Sequence, residues 1–135
     1  MKSRSISAAP APVWNQGTPT STTFFPMTAP ISTDGIATIR SSIFVHAMRS
    51  PTDELELWVA YQTSNDGVTW EAAVKVKASQ KATANSELYG STFEDHASNM
   101  AARQLVRFGI LSDNATSSSS EGLAYAGLQV DLQGC

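Results

Sequence analysis

The chain has 135 residues, a length typical of one domain and sufficient to bury a hydrophobic core. Nine basic and twelve acidic side chains give a net charge of −3, and no block of Lys or Arg could neutralise a run of phosphates, so nucleic-acid binding is not expected. Charged residues make up only 16% of the chain, and this composition, rich in small polar residues, is typical of β-rich proteins.

Membrane insertion and secretion are not expected from the sequence. No stretch approaches the roughly eighteen apolar residues that a membrane-spanning helix requires. The first residues carry Lys2 and Arg4, but serines interrupt the apolar stretch that a signal peptide needs. Cys135, the single cysteine, has no second cysteine with which to form an internal disulfide. We therefore expect no targeting signal and a fold without disulfide support.

Residues 1–21 are predicted to form an extended arm outside any sheet. Three prolines lie among small polar residues there, and proline removes a backbone donor while it favours extended backbone. We take Val13 and Trp14 as the side chains that would fix the arm to a neighbouring surface, because an arm stays ordered only when something holds it. Residues 22–135 are predicted to form one domain.

The rest of the chain contains seven segments that favour extended backbone. In chain order, the predicted strands are residues 22–27, 36–48, 55–62, 70–77, 88–93, 104–111 and 124–132. Connections are predicted at residues 34–35, 51–54, 98–102 and 113–122, the third of them a loop or a helical turn. Pro26 places the first of these strands at the edge of a sheet.

Alternation with period two indicates which side chains face the core. In residues 55–62, the side chains of the predicted inward face are Leu55, Leu57, Val59 and Tyr61, and Trp58 lies on the opposite face. The inward sets of the last two strands are Val106, Phe108 and Ile110, and then Ala124, Ala126, Leu128, Val130 and Leu132. Short alternating strands without a helical period predict an all-β protein, an antiparallel β-sandwich of the jelly-roll type.

The stretch SNDGVTW, Ser64–Trp70, lies between two alternating segments and predicts a tight hairpin. Gly67 can adopt the positive φ that such a connection requires, and Asn65 or Asp66 can bond to nearby backbone amides. Trp70 follows where a large ring can cover the mouth of the hairpin. Local structure therefore accounts for the motif, and a ligand site at the turn is the alternative.

This hairpin, together with the later segment ARQLVRF at residues 102–108, resembles discoidin domains, the C-type domains of coagulation factors. The resemblance implies a β-sandwich that binds a carbohydrate or a lipid. The residues that would bind the ligand are Trp58, Asn65, Asp66 and Trp70.

An extended arm, a hairpin of this kind and polar Ser/Thr loops are also similar to the small β-sandwich proteins of tailed-phage virions. That resemblance implies a non-enzymatic structural protein of a symmetric assembly, such as a capsid decoration, head–tail or tail protein. Its partners would be copies of itself or other virion subunits, and it would be located in the virion after assembly in the host cytoplasm. The expected interface side chains are Val13 and Trp14 of the arm and Trp58 of the exposed strand face, because tryptophan is enriched at hot spots.

No arrangement typical of catalysis is present in the sequence. No serine lies in a Gly-x-Ser-x-Gly elbow, and no Gly-rich phosphate loop occurs. His46 shares a predicted strand face with apolar side chains, as a core histidine would. Glu94, Asp95 and His96 could each ligate a metal, but adjacent residues of an extended chain point in different directions. We therefore expect no enzymatic activity, no metal and no cofactor.

Overall fold

The computed structural model describes residues 3–15, 22–33, 36–49, 55–82, 86–95, 104–114 and 122–134, and the side chains of most of them. Nine strands run through these residues, and no helix occurs among them. In chain order the strands are β1 (Ser3–Asn15), β2 (Thr22–Pro26), β3 (Ile31–Ser32), β4 (Ile36–Arg49), β5 (Leu55–Ser64), β6 (Val74–Ala82), β7 (Ser86–Asp95), β8 (Leu105–Asn114) and β9 (Gly122–Gly134).

The strands form two antiparallel sheets. Sheet A has the order β1-β9-β4-β7, and sheet B has the order β2-β8-β5-β6, with the short β3 also paired to β8. The long strands pair from the ends of the chain inward: β1 with β9, β2 with β8, β4 with β7, and β5 with β6. A long hairpin rolled up in this way is the eight-stranded jelly roll. The predicted antiparallel β-sandwich of the jelly-roll type is therefore confirmed.

The core lies between the two sheets and is formed by alternate residues of their strands. Its buried side chains on β4, β5, β8 and β9 are Ile39, Ile43, Leu57, Val59, Tyr61, Val106, Phe108, Ile110, Ala126, Leu128, Val130 and Leu132. The rings of Tyr61 and Phe108 meet edge to face, with their centroids 6.3 Å apart. The inward faces predicted for β5, β8 and β9 are confirmed wherever their side chains are described.

The N-terminal segment is a strand of the sandwich, and the prediction of an arm outside the sheet is wrong for its described part. β1 pairs with β9 from Ser3 to Asn15 and forms one edge of sheet A. Val13 is fully buried in the core, and Ile6 packs against the same cluster. Residues 1–2 and 16–21 lie outside the described residues.

The prolines of β1 are compatible with a strand because of where they lie. The register with β9 shifts between Ala8 and Ala11, which marks a β-bulge that contains Pro10. Pro12 lies on the edge strand, where a residue without an N–H group is tolerated. Proline content alone therefore excluded a central strand but not an edge strand.

Strand β2 lies at the edge of sheet B, as predicted from Pro26. Beyond it the chain folds across β8, because the amides of Met27 and Thr28 both donate to the carbonyl oxygen of Phe108, at 2.9 and 3.1 Å. Thr28 Oγ1 accepts a hydrogen bond from the Phe108 amide at 2.9 Å. These bonds hold the segment that follows β2 against β8.

Strand β6 begins later than the sequence predicts. The prediction starts the strand at Trp70, whereas β6 begins at Val74. Residues 70–73 instead complete the hairpin connection, and the amide of Glu71 donates to the carbonyl oxygen of Thr63 at 2.9 Å. The strand predicted at residues 88–93 is present as part of the longer β7. The predicted connections at residues 34–35, 51–54 and 98–102, and residues 115–121 of the last one, lie outside the described residues.

Candidate functional site

The hairpin between β5 and β6 is held by its own hydrogen bonds. Ser64 Oγ accepts from the amides of Asp66 and Gly67, at 3.2 and 2.9 Å, and lies 2.6 Å from the Thr69 carbonyl oxygen, to which it donates. Asp66 Oδ1 accepts from the amides of Val68 and Thr69, at 2.8 and 2.9 Å. Gly67 has a φ of 78°, the left-handed conformation expected from the sequence.

The carboxylate of Asp66 accepts hydrogen bonds from within the hairpin loop. The backbone hydrogen bonds from Thr69 and Val68, and the Ser64 hydroxyl 3.0 Å from Oδ1, lower the pKa of Asp66 from its ordinary value. The same oxygen, Oδ1, takes all three contacts. Asn65 is exposed beside it and Val68 is 82% exposed at the tip. The loop is thus a preorganised turn whose acid is already engaged.

Trp58 lies on the outer face of sheet B, as alternation predicts, and its own chain covers part of it. The side chain is half-buried. Its indole Nε1 donates to Glu56 Oε1 at 2.9 Å, and the ammonium of Lys75 lies 4.8 Å from the centre of its ring. A ligand that stacks on this face of Trp58 would have to displace Lys75.

A second tryptophan carries a cation on the same outer face. The guanidinium of Arg107 lies 4.1 Å above the ring of Trp70. Arg107 Nε and Nη2 both donate to Gln62 Oε1, at 3.0 and 2.7 Å. Partial burial lowers the pKa of Arg107 from its ordinary value, because the charged form loses hydration, but an arginine remains protonated at neutral pH.

Small and apolar residues lie beneath these larger side chains on the outer face of sheet B. Ala60 and Gly109, which face each other across β5 and β8, are buried, and so is Leu111 opposite Trp58. A methyl group on Gly109 would lie 2.8 Å from the ring of Phe24, so that ring covers the outer side of β8. We call the layer formed by Trp58, Gln62, Trp70, Lys75 and Arg107 the tryptophan face.

One end of the outer face of sheet A is polar. Ser5, Asp131 and Arg40 lie in one row across β1, β9 and β4. Ser5 Oγ and Gln129 Nε2 both donate to Asp131 Oδ1, the second at 3.3 Å. These residues help to line a concavity of about 350 Å³. The carboxylate in it, that of Asp131, is already bonded to two neighbouring side chains.

The other end of the same face is apolar. Phe44 is 39% exposed and Tyr125 is 48% exposed, and we call these two side chains the aromatic patch. Gly127 lies directly opposite Phe44 and two residues from Tyr125. A methyl group on Gly127 would lie 2.6 Å from the Ala8 carbonyl oxygen and 3.0 Å from Pro10 N, so the bulge of β1 covers this glycine. Exposed aromatic side chains at such a position are typical of interaction surfaces.

The structure separates the predicted interface residues. Val13 cannot contact a neighbouring subunit in this fold, because it is fully buried in the core of its own chain. The side chain of Trp14 lies outside the described residues, as do those of His46, Glu94 and Asp95 and the whole of His96. Trp58 is the predicted interface residue that lies at a described surface.

The residues predicted to bind a ligand are divided between two places. Trp58 and Trp70 contribute to the tryptophan face, whereas Asn65 and Asp66 lie in the hairpin loop. The sequence did not identify Gln62, Lys75 and Arg107 as neighbours of the two tryptophans. Alternation places Gln62 and Arg107 on outward positions of their strands, but that they face each other depends on the pairing of β5 with β8.

Neither a cluster of metal ligands nor a membrane-spanning helix occurs among the described residues. No group of three or more His, Cys, Asp or Glu side chains there could hold a metal ion. None of the described segments forms a helix with the length and apolar character needed to cross a membrane.

Comparison with known proteins shows a shared fold and no sequence family. No family model matches the chain, so the resemblance to discoidin domains has no support there, and a search of curated proteins finds no match. A chain of the T=1 particles derived from infectious bursal disease virus aligns with 98% of this chain. The alignment covers 32% of the viral chain at 14% identity, with a TM-score of 0.59. The VP2 subviral particle of the same virus matches 98% of this chain and 33% of its own at 12% identity, with a TM-score of 0.57.

This chain thus spans about a third of the length of those viral chains. A xylan-binding CBM22 domain from Paenibacillus barcinonensis covers 96% of this chain and 94% of its own at 11% identity, with a TM-score of 0.45. The viral comparisons show a shared fold alone, and the xylan-binding comparison is too distant to add to it.

Proposed function

We propose that this protein is a non-enzymatic structural subunit of a symmetric particle, specifically a virion protein. The observation that carries the proposal is the complete eight-stranded jelly roll, which is matched over 98% of the chain by VP2-type particles of infectious bursal disease virus. A rigid sandwich of this kind suits a subunit whose work is packing against neighbours.

The outer face of sheet A supports the proposal. The aromatic patch exposes two large rings on adjacent strands, and such rings are enriched where subunits meet. Neighbouring copies would bury Phe44 and Tyr125, and the protein would be a homo-oligomer located in the virion. More specifically, the protein would be a capsid decoration, head–tail or tail protein of a bacteriophage, assembled in the host cytoplasm. This part of the proposal rests on the similarity of the sequence to the small β-sandwich proteins of tailed-phage virions.

The test is the state of the purified full chain. Its mass would be measured by light scattering over a wide concentration range, and the same samples would be imaged by electron microscopy. We expect the mass of several chains and particles or rings of uniform size. The mass of a single chain at every concentration, with no particles in the images, would contradict the proposal.

A further inference from the structure

We propose that the tryptophan face binds an extended acidic segment of a neighbouring protein, with Arg107 as the main contact and Lys75 as the second. The inference rests on the proposed function only for the nature of the partner, a protein subunit. Its physical basis is the way in which two cations are held on the outer face of sheet B.

Arg107 is preorganised to receive a carboxylate. Its guanidinium is stacked on Trp70 and oriented by two hydrogen bonds to Gln62 Oε1. Arginine carries five N–H donors in a planar fork, and these contacts use one on Nε and one on Nη2. The two N–H groups of Nη1 and the second one of Nη2 take no part in those bonds. They offer the paired geometry that a carboxylate accepts.

The second cation lies at a distance that suits an extended chain. Lys75 is opposite Ala60 on one side of β5, and Arg107 is opposite Gln62 on the other side. Two residues along a strand and two strand spacings across give a separation of about 12 Å between these backbone positions. In an extended segment, side chains four residues apart lie on one face and are about 13 Å apart. Acidic residues at positions i and i+4 would therefore reach both cations.

The polar groups of this face favour a charged segment over a neutral sugar. Gln62 Oε1 already accepts two bonds from Arg107, and Glu56 Oε1 accepts the Trp58 indole N–H. A cation also lies over each tryptophan ring, where a sugar would stack. An acidic partner would bind Arg107 without displacing it from Trp70, and Lys75 would contribute less, because Trp58 beneath it is also bonded to the Glu56 carboxylate.

The experiment is a titration of a fluorescent twelve-residue peptide of alternating Glu and Thr with the full chain in low-salt buffer, followed by anisotropy. The control peptide has Gln in place of Glu. We expect the Glu peptide to bind and the Gln peptide not to bind. Arg107→Gln should raise the Kd about fivefold, Arg107→Lys and Lys75→Gln should raise it less, and added salt should weaken binding.

Arg40→Gln is the matched control, because it removes one positive charge from the outer face of sheet A and should leave the Kd unchanged. Thermal unfolding of each variant would show that it is folded. No binding of the Glu peptide to the wild type, or equal weakening by Arg40→Gln and Arg107→Gln, would overturn the inference. Binding of a sulfated oligosaccharide through Arg107 in place of the peptide would also overturn it.

The two proposals can fail separately. A wild-type protein that is a single chain in solution but binds the Glu peptide through Arg107 contradicts the proposed assembly and supports the acidic-segment site. A protein that forms particles but does not bind the peptide supports the proposed assembly and contradicts the acidic-segment site. Mass and peptide affinity measured on the same preparation therefore assign a failure to one proposal or the other.

Discussion

The two outer faces of the sandwich are covered by different groups. On sheet B, a layer of the chain's own large side chains covers Ala60, Gly109 and Leu111, and two cations lie on tryptophan rings. On sheet A, the backbone bulge of β1 covers Gly127 and leaves Phe44 and Tyr125 exposed beside it. One face thus presents charge above a layer of aromatic rings, and the other presents partly exposed aromatic rings.

This difference indicates two kinds of contact. Exposed rings gain free energy when a partner removes them from water, whereas held cations select a partner by its charge. Variants of each face test whether it depends on the features assigned to it.

Removal of residues 1–15 should have the largest effect, because it deletes β1, which closes sheet A and places Val13 in the core. We expect no cooperative unfolding transition by circular dichroism for this truncated chain. Val13→Ala in the full chain should cost about 2 kcal/mol in urea unfolding. Ser7→Ala, an exposed position on the same strand, should change stability by less than about 0.5 kcal/mol. A truncated chain that unfolds like the wild type would show that β1 is an arm after all.

The two covered glycines should respond to alanine in a defined order. In Gly109→Ala the new methyl group would collide with the Phe25 carbonyl oxygen, and in Gly127→Ala it would lie 2.6 Å from the Ala8 carbonyl oxygen. Both contacts are with backbone, so the strands must shift, and we expect losses of about 3 and 2 kcal/mol in urea unfolding. Equal stability of either variant and the wild type would mean that its covering strand does not lie this close.

Truncation of one aromatic ring on each face compares the two kinds of surface directly. Trp58→Ala should cost about 2 kcal/mol, because it uncovers Leu111 and removes the contact with Lys75. Phe44→Ala should cost less, about 1 kcal/mol, because about two-fifths of that residue's surface is already in water. Equal losses in urea unfolding would remove the distinction between a closed face and an open one.

A pair of buried serines on the inner faces should give small effects of opposite sign. The hydroxyl of Ser41 in sheet A makes no hydrogen bond within the described part of the chain, whereas Ser112 in sheet B has an interaction of its own. Ser41→Ala should stabilise the protein by about 1 kcal/mol and Ser112→Ala should destabilise it by a similar amount, as measured by urea unfolding. Destabilisation by both variants would show that Ser41 has a partner.

The hairpin beside the tryptophan face should show a pH-dependent effect. Because the pKa of Asp66 is lower in the folded state than its ordinary value of 3.8, its stabilising effect is present above that value and is lost as the pH falls through the folded-state pKa. Asp66→Asn should lower the urea midpoint at pH 7. The difference from the wild type should shrink as the pH falls below 3.8. A difference that does not change with pH would exclude the ionised carboxylate as its source.

The sequence predicts the core better than it predicts the surfaces. Alternation in β5, β8 and β9 identifies the buried faces because those strands are central and one side of each meets the core. In β1 the same alternation is present at residues 6, 8, 11 and 13, but the bulge shifts its phase by one residue and the prolines conceal it. The tryptophan face requires side chains from β5, β6 and β8 to be placed together, and that placement depends on long-range register, which local patterns do not contain.

The most direct test is the mass in solution of the wild type and of the double variant Phe44→Ser/Tyr125→Ser, measured by light scattering at the same concentrations. We expect an oligomeric wild type and a variant that dissociates towards single chains but still unfolds cooperatively in urea. The same mass for both proteins, or a wild type that is a single chain throughout, would contradict the assignment of the aromatic patch to subunit contact.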